Sequence, residues 1–151
     1  MDKLRLPNIN AQIKYDEGKQ FIFDVIRKKY IQITPEEWVR QHFIHYLIES
    51  LDYPKSLINV EFGLKYNHLQ KRSDIIIYNR NGHPLVLVEC KAASIRLSQK
   101  VAEQAIMYNR IVAASYVILT NGIEHSCLQI KKAEGKIEYL AELPKFMDIH
   151  P

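Results

Sequence analysis

Two acidic residues and a lysine have a spacing that could support chemistry. Asp74 and Glu89 are separated by fourteen residues, and Lys91 follows Glu89 by two positions. Side chains two apart on a strand share a face, so Glu89 and Lys91 would project to the same side. Carboxylate oxygens suit a hard divalent cation such as Mg²⁺ or Mn²⁺, and an ammonium group suits a phosphate. Together these residues could carry out metal-assisted hydrolysis of a phosphodiester.

Two apolar runs would position these residues. Residues 85–91 are apolar on both faces until Glu89, which is typical of a central strand covered on both sides. Residues 73–78 form a second β-branched run, and the sequence NRNG at 79–82 is a turn signal. We therefore expect an antiparallel hairpin, which sets Asp74 beside Glu89 and Lys91. Converging carboxylates repel each other unless a cation lies between them.

Each of these three residues alone would be an ordinary surface charge at a strand end. The functional interpretation therefore depends on their combination with other motifs. Asp74 followed by Glu89-Cys90-Lys91 resembles the PD-(D/E)xK nuclease signature, with Ser73 where the pattern's loosely kept proline would stand. Gln104 and Tyr108 look like the Gln-xxx-Tyr motif of the RecB-like branch. Residues 34–41 resemble the first helix of a group related to the N-terminal nuclease domain of type I restriction enzyme R subunits. The resemblance spans roughly residues 20 to 130.

The resemblance implies a restriction-endonuclease-like αβββαβ core of α/β class, with a mixed central sheet flanked by helices. It also implies an Mg²⁺-dependent DNA endonuclease, in which we expect Mn²⁺ to substitute. The expected metal ligands are Asp74, Glu89 and the backbone carbonyl of Cys90, with Lys91 positioning the attacking water or stabilising the charged transition state.

Three further residues are expected to assist. The resemblance implies an acid in the first helix, and the spacing to Arg40 favours Glu37 as that catalytic acid and further metal ligand, although Glu36 remains open. Both glutamates also suit the helix N-terminus electrostatically. Gln104 and Tyr108, one turn apart on a helix, are expected to position Lys91 and the DNA backbone.

Two other functions remain open from the sequence. One is a non-catalytic nucleic-acid-binding or assembly module that has kept the nuclease fold, and the other is a structure-specific, junction-resolving nuclease. The expected partners are DNA and a helicase/translocase or other restriction-modification subunits. A separate motor subunit is expected because no GxxxxGK phosphate-binding motif occurs in this chain. The sequence does not distinguish a stand-alone protein from a fragment, or a monomer from a homodimer.

The composition agrees with a polyanion partner. The 151 residues are 47% apolar and 25% charged, with a net charge of +4 and a pI near 9.0. Cys90 and Cys127 lack metal-ligand or CxxC spacing, so they are expected to be buried free thiols. The N-terminus lacks an apolar signal core and no apolar run could span a membrane, which together predict a cytoplasmic protein.

The pattern along the chain predicts an irregular polar arm over 1–19 and a single domain over 20–151. One or two short strands are expected within 20–33, followed by a helix to about residue 51, a strand at 58–65 and a second helix at about 97–113. Strands at 116–120, from 127 and at 136–140 complete the prediction. The strand after the second helix is expected to be parallel to the strand before it.

Overall fold

The computed structural model describes residues 1–62 and 73–150, with backbone only for residues 62, 73 and 74. The strands are β1 (Ile13–Asp16), β2 (Lys19–Asp24), β3 (Lys29–Gln32), β4 (Ile58–Phe62), β5 (Ser73–Tyr78), β6 (Pro84–Cys90), β7 (Tyr116–Thr120), β8 (His125–Lys131) and β9 (Lys136–Leu140). The helices are α1 (Pro35–Glu49), α2 (Gln99–Val112) and the short α3 (Phe146–Ile149). Single 3₁₀ turns occur at Lys55–Leu57 and Lys132–Glu134.

The main sheet has six strands in the order β4-β5-β6-β7-β8-β9. β6 and β7 are parallel and are joined through α2, whereas every other neighbouring pair is antiparallel. The predicted mixed sheet and αβββαβ core are confirmed, since α1, β4, β5, β6, α2 and β7 follow one another in that order. β8 and β9 extend the sheet beyond that core.

The two long helices cover opposite faces of this sheet. On one face, α1 packs Val39, Phe43 and Leu47 against Val86 and Val88 of β6. On the other face, side chains of α2 pack against β6 and β7; this second core contains Leu87, Ala102, Ala105, Tyr108, Val117 and Leu119. A strand covered on both faces has apolar residues at nearly every position, which explains the continuous apolar run of β6.

Each long helix starts at a capping side chain. The Thr34 side chain accepts a hydrogen bond from the backbone N–H of Glu37, and Pro35 stands at the first helical position of α1. The Ser98 side chain accepts from Val101 at the start of α2. α2 ends at Ala113, a non-glycine residue in the left-handed conformation with φ of 62°. The predicted helices are thus confirmed, with ends within two residues of those expected.

A second, three-stranded antiparallel sheet of β1, β2 and β3 precedes α1. The expectation of one or two strands within 20–33 is confirmed, but the expectation of an irregular arm was wrong for residues 13–16, which form β1. The turn from β1 to β2 has Glu17 and Gly18 at φ of 48° and 76°, the conformation of a two-residue hairpin turn. All four residues of β1 are exposed, although its sequence, IKYD, alternates apolar and polar residues as a short strand does. The signal for β1 was therefore present in the sequence.

Residues before β1 also make tertiary contacts. The Trp38 indole N–H donates to the backbone carbonyl of Asp2 at 2.9 Å, and the Arg5 N–H donates to the carbonyl of Gly122 at 2.8 Å. Leu4 and Leu6 pack against the core beneath α1. The segment therefore joins the start of α1 to the turn after β7. None of the helices in the described ranges has the length and apolarity that a membrane crossing requires.

Candidate active site

Glu89 and Lys91 lie together at the carboxyl end of β6. The Glu89 carboxylate is 4% exposed, and its Oε1 lies 3.3 Å from the Lys91 Nζ, whose side chain is 27% exposed. The Lys91 N–H donates to the Thr120 carbonyl at 2.8 Å, which holds this strand end against β7. A buried carboxylate beside a partly exposed ammonium is the arrangement that the acid-x-Lys pattern predicts.

Asp74 reaches the same end of the sheet through strand pairing. Ile75 of β5 pairs with Val88 of β6 in antiparallel register, so Asp74, one residue before Ile75, lies at the level of Glu89, one residue after Val88. On its other side Asp74 pairs with Glu61 of β4. The expected hairpin is confirmed at the backbone, whereas the Asp74 side chain lies outside the description.

Cys90 projects to the opposite face of β6 from its two charged neighbours. Its thiol is buried in the core beneath α1 together with Val86 and Val88. Alternation along the strand places Glu89 on the other face, with Leu87 and the α2 core. The predicted buried free thiols are confirmed at Cys90 and Cys127. Because the Cys90 thiol lies on the opposite face from Glu89, the group of Cys90 that could bind a cation beside Glu89 is its backbone carbonyl.

Gln104 and Tyr108 differ in burial although they are one turn apart on α2. Tyr108 is 6% exposed and belongs to the core between α2 and the sheet, whereas Gln104 is exposed. Both are on the helix that covers the Glu89 face of the sheet. Tyr108 therefore helps to fix α2 over that face, and Gln104 remains accessible to a ligand.

Glu37 is buried and doubly ion-paired. Its Oε1 accepts from Arg27 Nη2 at 2.6 Å, and its Oε2 accepts from Arg40 Nη1 at 2.8 Å. The Glu37 side chain is 6% exposed, whereas that of Glu36, which meets Arg40 Nη2 at 3.0 Å, is 47% exposed. Thus both oxygens of the favoured first-helix acid are held by guanidinium groups, and Glu36 is the more accessible carboxylate.

Arg40 connects this acidic pair to β6. Burial opposes its charge, but Cys90 and the carboxylates of Glu37 and Glu36 raise the pKa of the Arg40 guanidinium above its usual value. Arg40 therefore stays protonated, close to the residue that stands between Glu89 and Lys91. The first turn of α1 is in this way coupled electrostatically to the end of β6.

A second buried carboxylate, Asp24, completes the network, and few features of the sequence point to it. Asp24 is fully buried; its Oδ1 accepts from the backbone N–H groups of Ile26 and Arg27, and its Oδ2 accepts from Arg27 Nε and Gln41 Nε2. Burial alone would raise the pKa of Asp24, but these hydrogen bonds and the Arg27 charge lower it. The available signals were an Asp three residues before an Arg in a turn, and a Gln on the buried face of α1.

The donor chemistry at the end of β6 fits a hard cation. Within residues 1–62 and 73–150, leaving out the Asp74 side chain, no three His, Cys, Asp or Glu side chains form a metal cluster. Glu89 nevertheless supplies a buried carboxylate, and the strand register sets Asp74 at the same level. The expected ligands are thus two carboxylates and a carbonyl, which are the oxygen donors that Mg²⁺ prefers.

A cavity of about 720 Å³ lies apart from these residues. It lies between the second half of α1, β8 and the segment after β9, and its lining includes Tyr46, Leu51, His125, Leu140 and Asp148. None of the candidate site residues lines it. A polymeric substrate such as DNA needs an open surface, so the cavity does not compete with the site at β6.

Comparison with known proteins identifies the family. A family model described as type I restriction enzyme R protein N terminus (HSDR_N) matches residues 35–144, which is most of the chain. The chain belongs to this R-protein N-terminal family. The match includes α1, both strands of the candidate hairpin and α2, so the resemblance inferred from the motifs is confirmed.

A solved structure has a similar fold. It is a fragment of an HsdR subunit of a type I restriction enzyme from Vibrio vulnificus YJ016, matched with a TM-score of 0.51 and 18% identity. The match covers 78% of this chain and 24% of that one, so this chain spans about a quarter of the length of the solved fragment. A comparison with curated proteins found no match. At this identity the structural likeness supports the fold, and the family assignment rests on the sequence match.

Proposed function

We propose that this R-protein N-terminal domain is a metal-dependent DNA endonuclease that hydrolyses phosphodiester bonds at the carboxyl end of β6. The observation that carries the proposal is the buried Glu89 carboxylate with Lys91 Nζ at 3.3 Å, at the strand level of Asp74. Burial of a carboxylate is costly unless the charge is compensated, and compensation by a lysine and a cation suits this position.

The ligands of the cation are Asp74, Glu89 and the backbone carbonyl of Cys90, with Mg²⁺ the expected ion and Mn²⁺ a substitute. When bound, such a cation polarises the scissile phosphate and lowers the pKa of a coordinated water. Lys91 holds the attacking water or offsets the charge that accumulates on the phosphate oxygens. Its partial exposure lets the ammonium group meet a substrate, and its contact with Glu89 orients it beforehand.

Glu37, the favoured acid of the first helix, acts indirectly and not as a free metal ligand. Because Arg27 and Arg40 hold both oxygens of Glu37, its role in this conformation is to position these guanidinium groups. Glu36 is the accessible acid of the pair and is the better placed of the two to reach solvent. Glu36 contacts Arg40 through one oxygen only, so its other oxygen can meet a cation, whereas both oxygens of Glu37 are already bound by arginines.

Tyr108 and Gln104 support the reaction from α2. Tyr108 fixes the helix against the sheet face that carries Glu89, and Gln104 presents its amide to Lys91 or the DNA backbone. No element within residues 1–62 and 73–150 reads bases recognisably, so we expect cleavage by this domain alone to depend little on DNA sequence. In the cell the proposed partners are a DNA translocase and other restriction-modification subunits, in keeping with the family.

The test is cleavage of supercoiled and linear DNA by the purified chain in Mg²⁺ or Mn²⁺. Lys91→Ala should abolish metal-dependent nicking, as should EDTA. Lys131→Ala is the matched control, because Lys131 forms an exposed pair with Glu138 at 3.1 Å far from the site, and this variant should cut DNA normally.

Cleavage that persists in Lys91→Ala would contradict the assigned site. Binding of DNA and of Mg²⁺ without cleavage would show a domain that requires its partner subunits. Binding of DNA with no affinity for Mg²⁺ would instead favour the second candidate, a non-catalytic nucleic-acid-binding module. Each oxygen of Glu37 is bound by an arginine, and this observation favours the second candidate.

A further inference from the structure

The three-stranded sheet has one face that is not packed against α1. Ile22 and Asp24 of β2 are fully buried, and Asp24 contacts Gln41 of α1, so these residues define the inner face. Alternation along β2 sends Phe21 and Phe23 to the other side. Their cross-strand partners Lys14, Tyr30 and Gln32 share that side, as do Lys19 and its partner Asp16. Together the set is called the outer face: Lys14, Asp16, Lys19, Phe21, Phe23, Tyr30 and Gln32.

The aromatic rings of the outer face contact one another and stay partly open to solvent. Phe23 and Tyr30 meet edge to face with centroids 5.4 Å apart, and Lys14 Nζ lies 4.2 Å from the centre of the Tyr30 ring. Tyr30 is 36% exposed, and Phe21 and Phe23 are half-buried. A solvent-facing side of a sheet usually carries polar residues, so one exposed ring and two half-buried rings on this face indicate a binding surface.

The charge of the sheet favours a polyanion. On the outer face Lys14 and Lys19 are exposed, against the exposed acid Asp16. Lys28 is exposed in the turn between β2 and β3, and Glu17 in the turn between β1 and β2. The remaining charged pair, Asp24 and Arg27, is buried and largely self-compensating. Exposed cations thus outnumber exposed anions around rings that could stack with bases.

We propose that the outer face binds single-stranded DNA, with bases stacked on Phe23 and Tyr30 and phosphates near Lys14 and Lys19. Unpaired bases expose the flat surfaces that aromatic side chains recognise, whereas the bases of a duplex are stacked on one another. The inference rests on the proposed function for the choice of DNA as the polyanion. It assigns a substrate-holding surface separate from the carboxylates of β6.

A chain of ion pairs runs from the three-stranded sheet towards the candidate active site. Arg27, in the turn between β2 and β3, joins Asp24 at 2.7 Å to Glu37 at 2.6 Å, and Glu37 in turn holds Arg40. Arg40 lies within electrostatic reach of Cys90 at the end of β6. This chain of ion pairs therefore places the three-stranded sheet and the end of β6 on either side of Arg40.

The test measures binding of a fluorescein-labelled oligothymidylate of about 20 nucleotides by anisotropy, in EDTA so that no cleavage occurs. This length exceeds the about 4–16 nucleotides that single-strand-binding folds cover. Tyr30→Leu keeps an apolar side chain but removes the ring, and Gln32→Glu adds a negative charge to the same face without removing packing. Each should raise the Kd about tenfold, equivalent to about 1.4 kcal/mol.

Tyr139→Ala is the matched control, since Tyr139 is a 71% exposed tyrosine on β9, at the far edge of the main sheet. It should bind the oligonucleotide as the unmodified chain does, and circular dichroism should show all three variants folded. Wild-type affinity in both outer-face variants, equal weakening by Tyr139→Ala, or equally tight binding of a duplex of the same length would overturn the proposal. Binding is measured in EDTA and cleavage in Mg²⁺, so failure of this proposal and failure of the nuclease proposal are distinguishable.

Discussion

Lys91 Nζ lies 3.3 Å from Glu89 Oε1, and both side chains leave the same face of β6. The two groups differ in exposure, because Glu89 is almost fully buried while Lys91 reaches solvent. Glu89 is thus held in place by packing, and Lys91 can exchange its carboxylate partner for a phosphate. This difference separates the roles of the two residues and leads to distinct effects on substitution.

Glu89→Gln should weaken Mg²⁺ binding by about 100-fold or more while leaving the fold intact. The amide has the same shape but neither the charge nor the second acceptor oxygen that a ligand needs, and loss of even an outer-shell partner of a metal costs about 10–100-fold. Isothermal titration calorimetry measures the effect. Glu138→Gln, which alters an exposed Lys–Glu pair elsewhere, serves as the control. Equal Mg²⁺ affinity in both variants would remove Glu89 from the ligand set.

Glu37→Gln should destabilise the protein by about 3–5 kcal/mol, because it leaves Arg27 and Arg40 buried without their shared carboxylate. Glu36→Gln should cost no more than about 1 kcal/mol, because Glu36 is half-exposed and contacts Arg40 alone. Urea unfolding of the two variants measures the difference. Similar losses for both would mean that the Arg27–Glu37–Arg40 network contributes little to the fold.

The stability of the protein should fall steeply in acid because of Asp24. Its pKa in the folded protein is below the ordinary value of 3.8, since hydrogen bonds and Arg27 outweigh the effect of burial. A lowered folded pKa means that its stabilising contribution is complete above the unfolded value and is lost as the pH falls through the folded one. Asp24→Asn should therefore show a flatter dependence of unfolding free energy on pH below about 4. An unchanged slope would contradict this assignment.

The site hairpin was predictable because each of its features is local. Residues 73–78 and 84–90 are apolar runs joined by a turn in which Asn79 Oδ1 accepts from the N–H groups of Asn81 and His83, and Gly82 takes a φ of 82°. Strand alternation then places Glu89 and Lys91 on one face. The helix starts at Thr34 and Ser98 were also readable, since capping side chains act within three residues of their position.

The ion pairs of Glu37 were not predictable, because its partner Arg27 is ten residues away in the turn between β2 and β3. From sequence, an acid in the first turn of a helix predicts only a favourable interaction with the helix dipole. Asp24 and Gln41 are seventeen residues apart and meet only when β2 packs on α1. Strand β1 was missed for a different reason, since its alternation covers only four residues, Ile13 to Asp16, within a segment that is otherwise polar.

Gly122→Ala should loosen the N-terminal segment as well as strain the turn after β7. Gly122 has a φ of +81°, and an added Cβ would lie 2.7 Å from Leu4 Cδ2. Gly82→Ala is the matched control, because its φ is +82° and nothing lies within 4 Å of the added atom. Both variants should lose about 1–2 kcal/mol from the left-handed backbone conformation.

Only Gly122→Ala should also increase hydrogen exchange at the Arg5 amide, which donates to the Gly122 carbonyl at 2.8 Å. The added methyl group displaces Leu4 from its contact, and the adjacent Arg5 hydrogen bond opens with it. Amide exchange followed by NMR measures the opening of the Arg5 hydrogen bond. Urea unfolding measures the loss of stability that both variants share because of the left-handed backbone conformation. If Arg5 exchanges at the same rate in both variants, Leu4 does not hold the N-terminal segment against the turn.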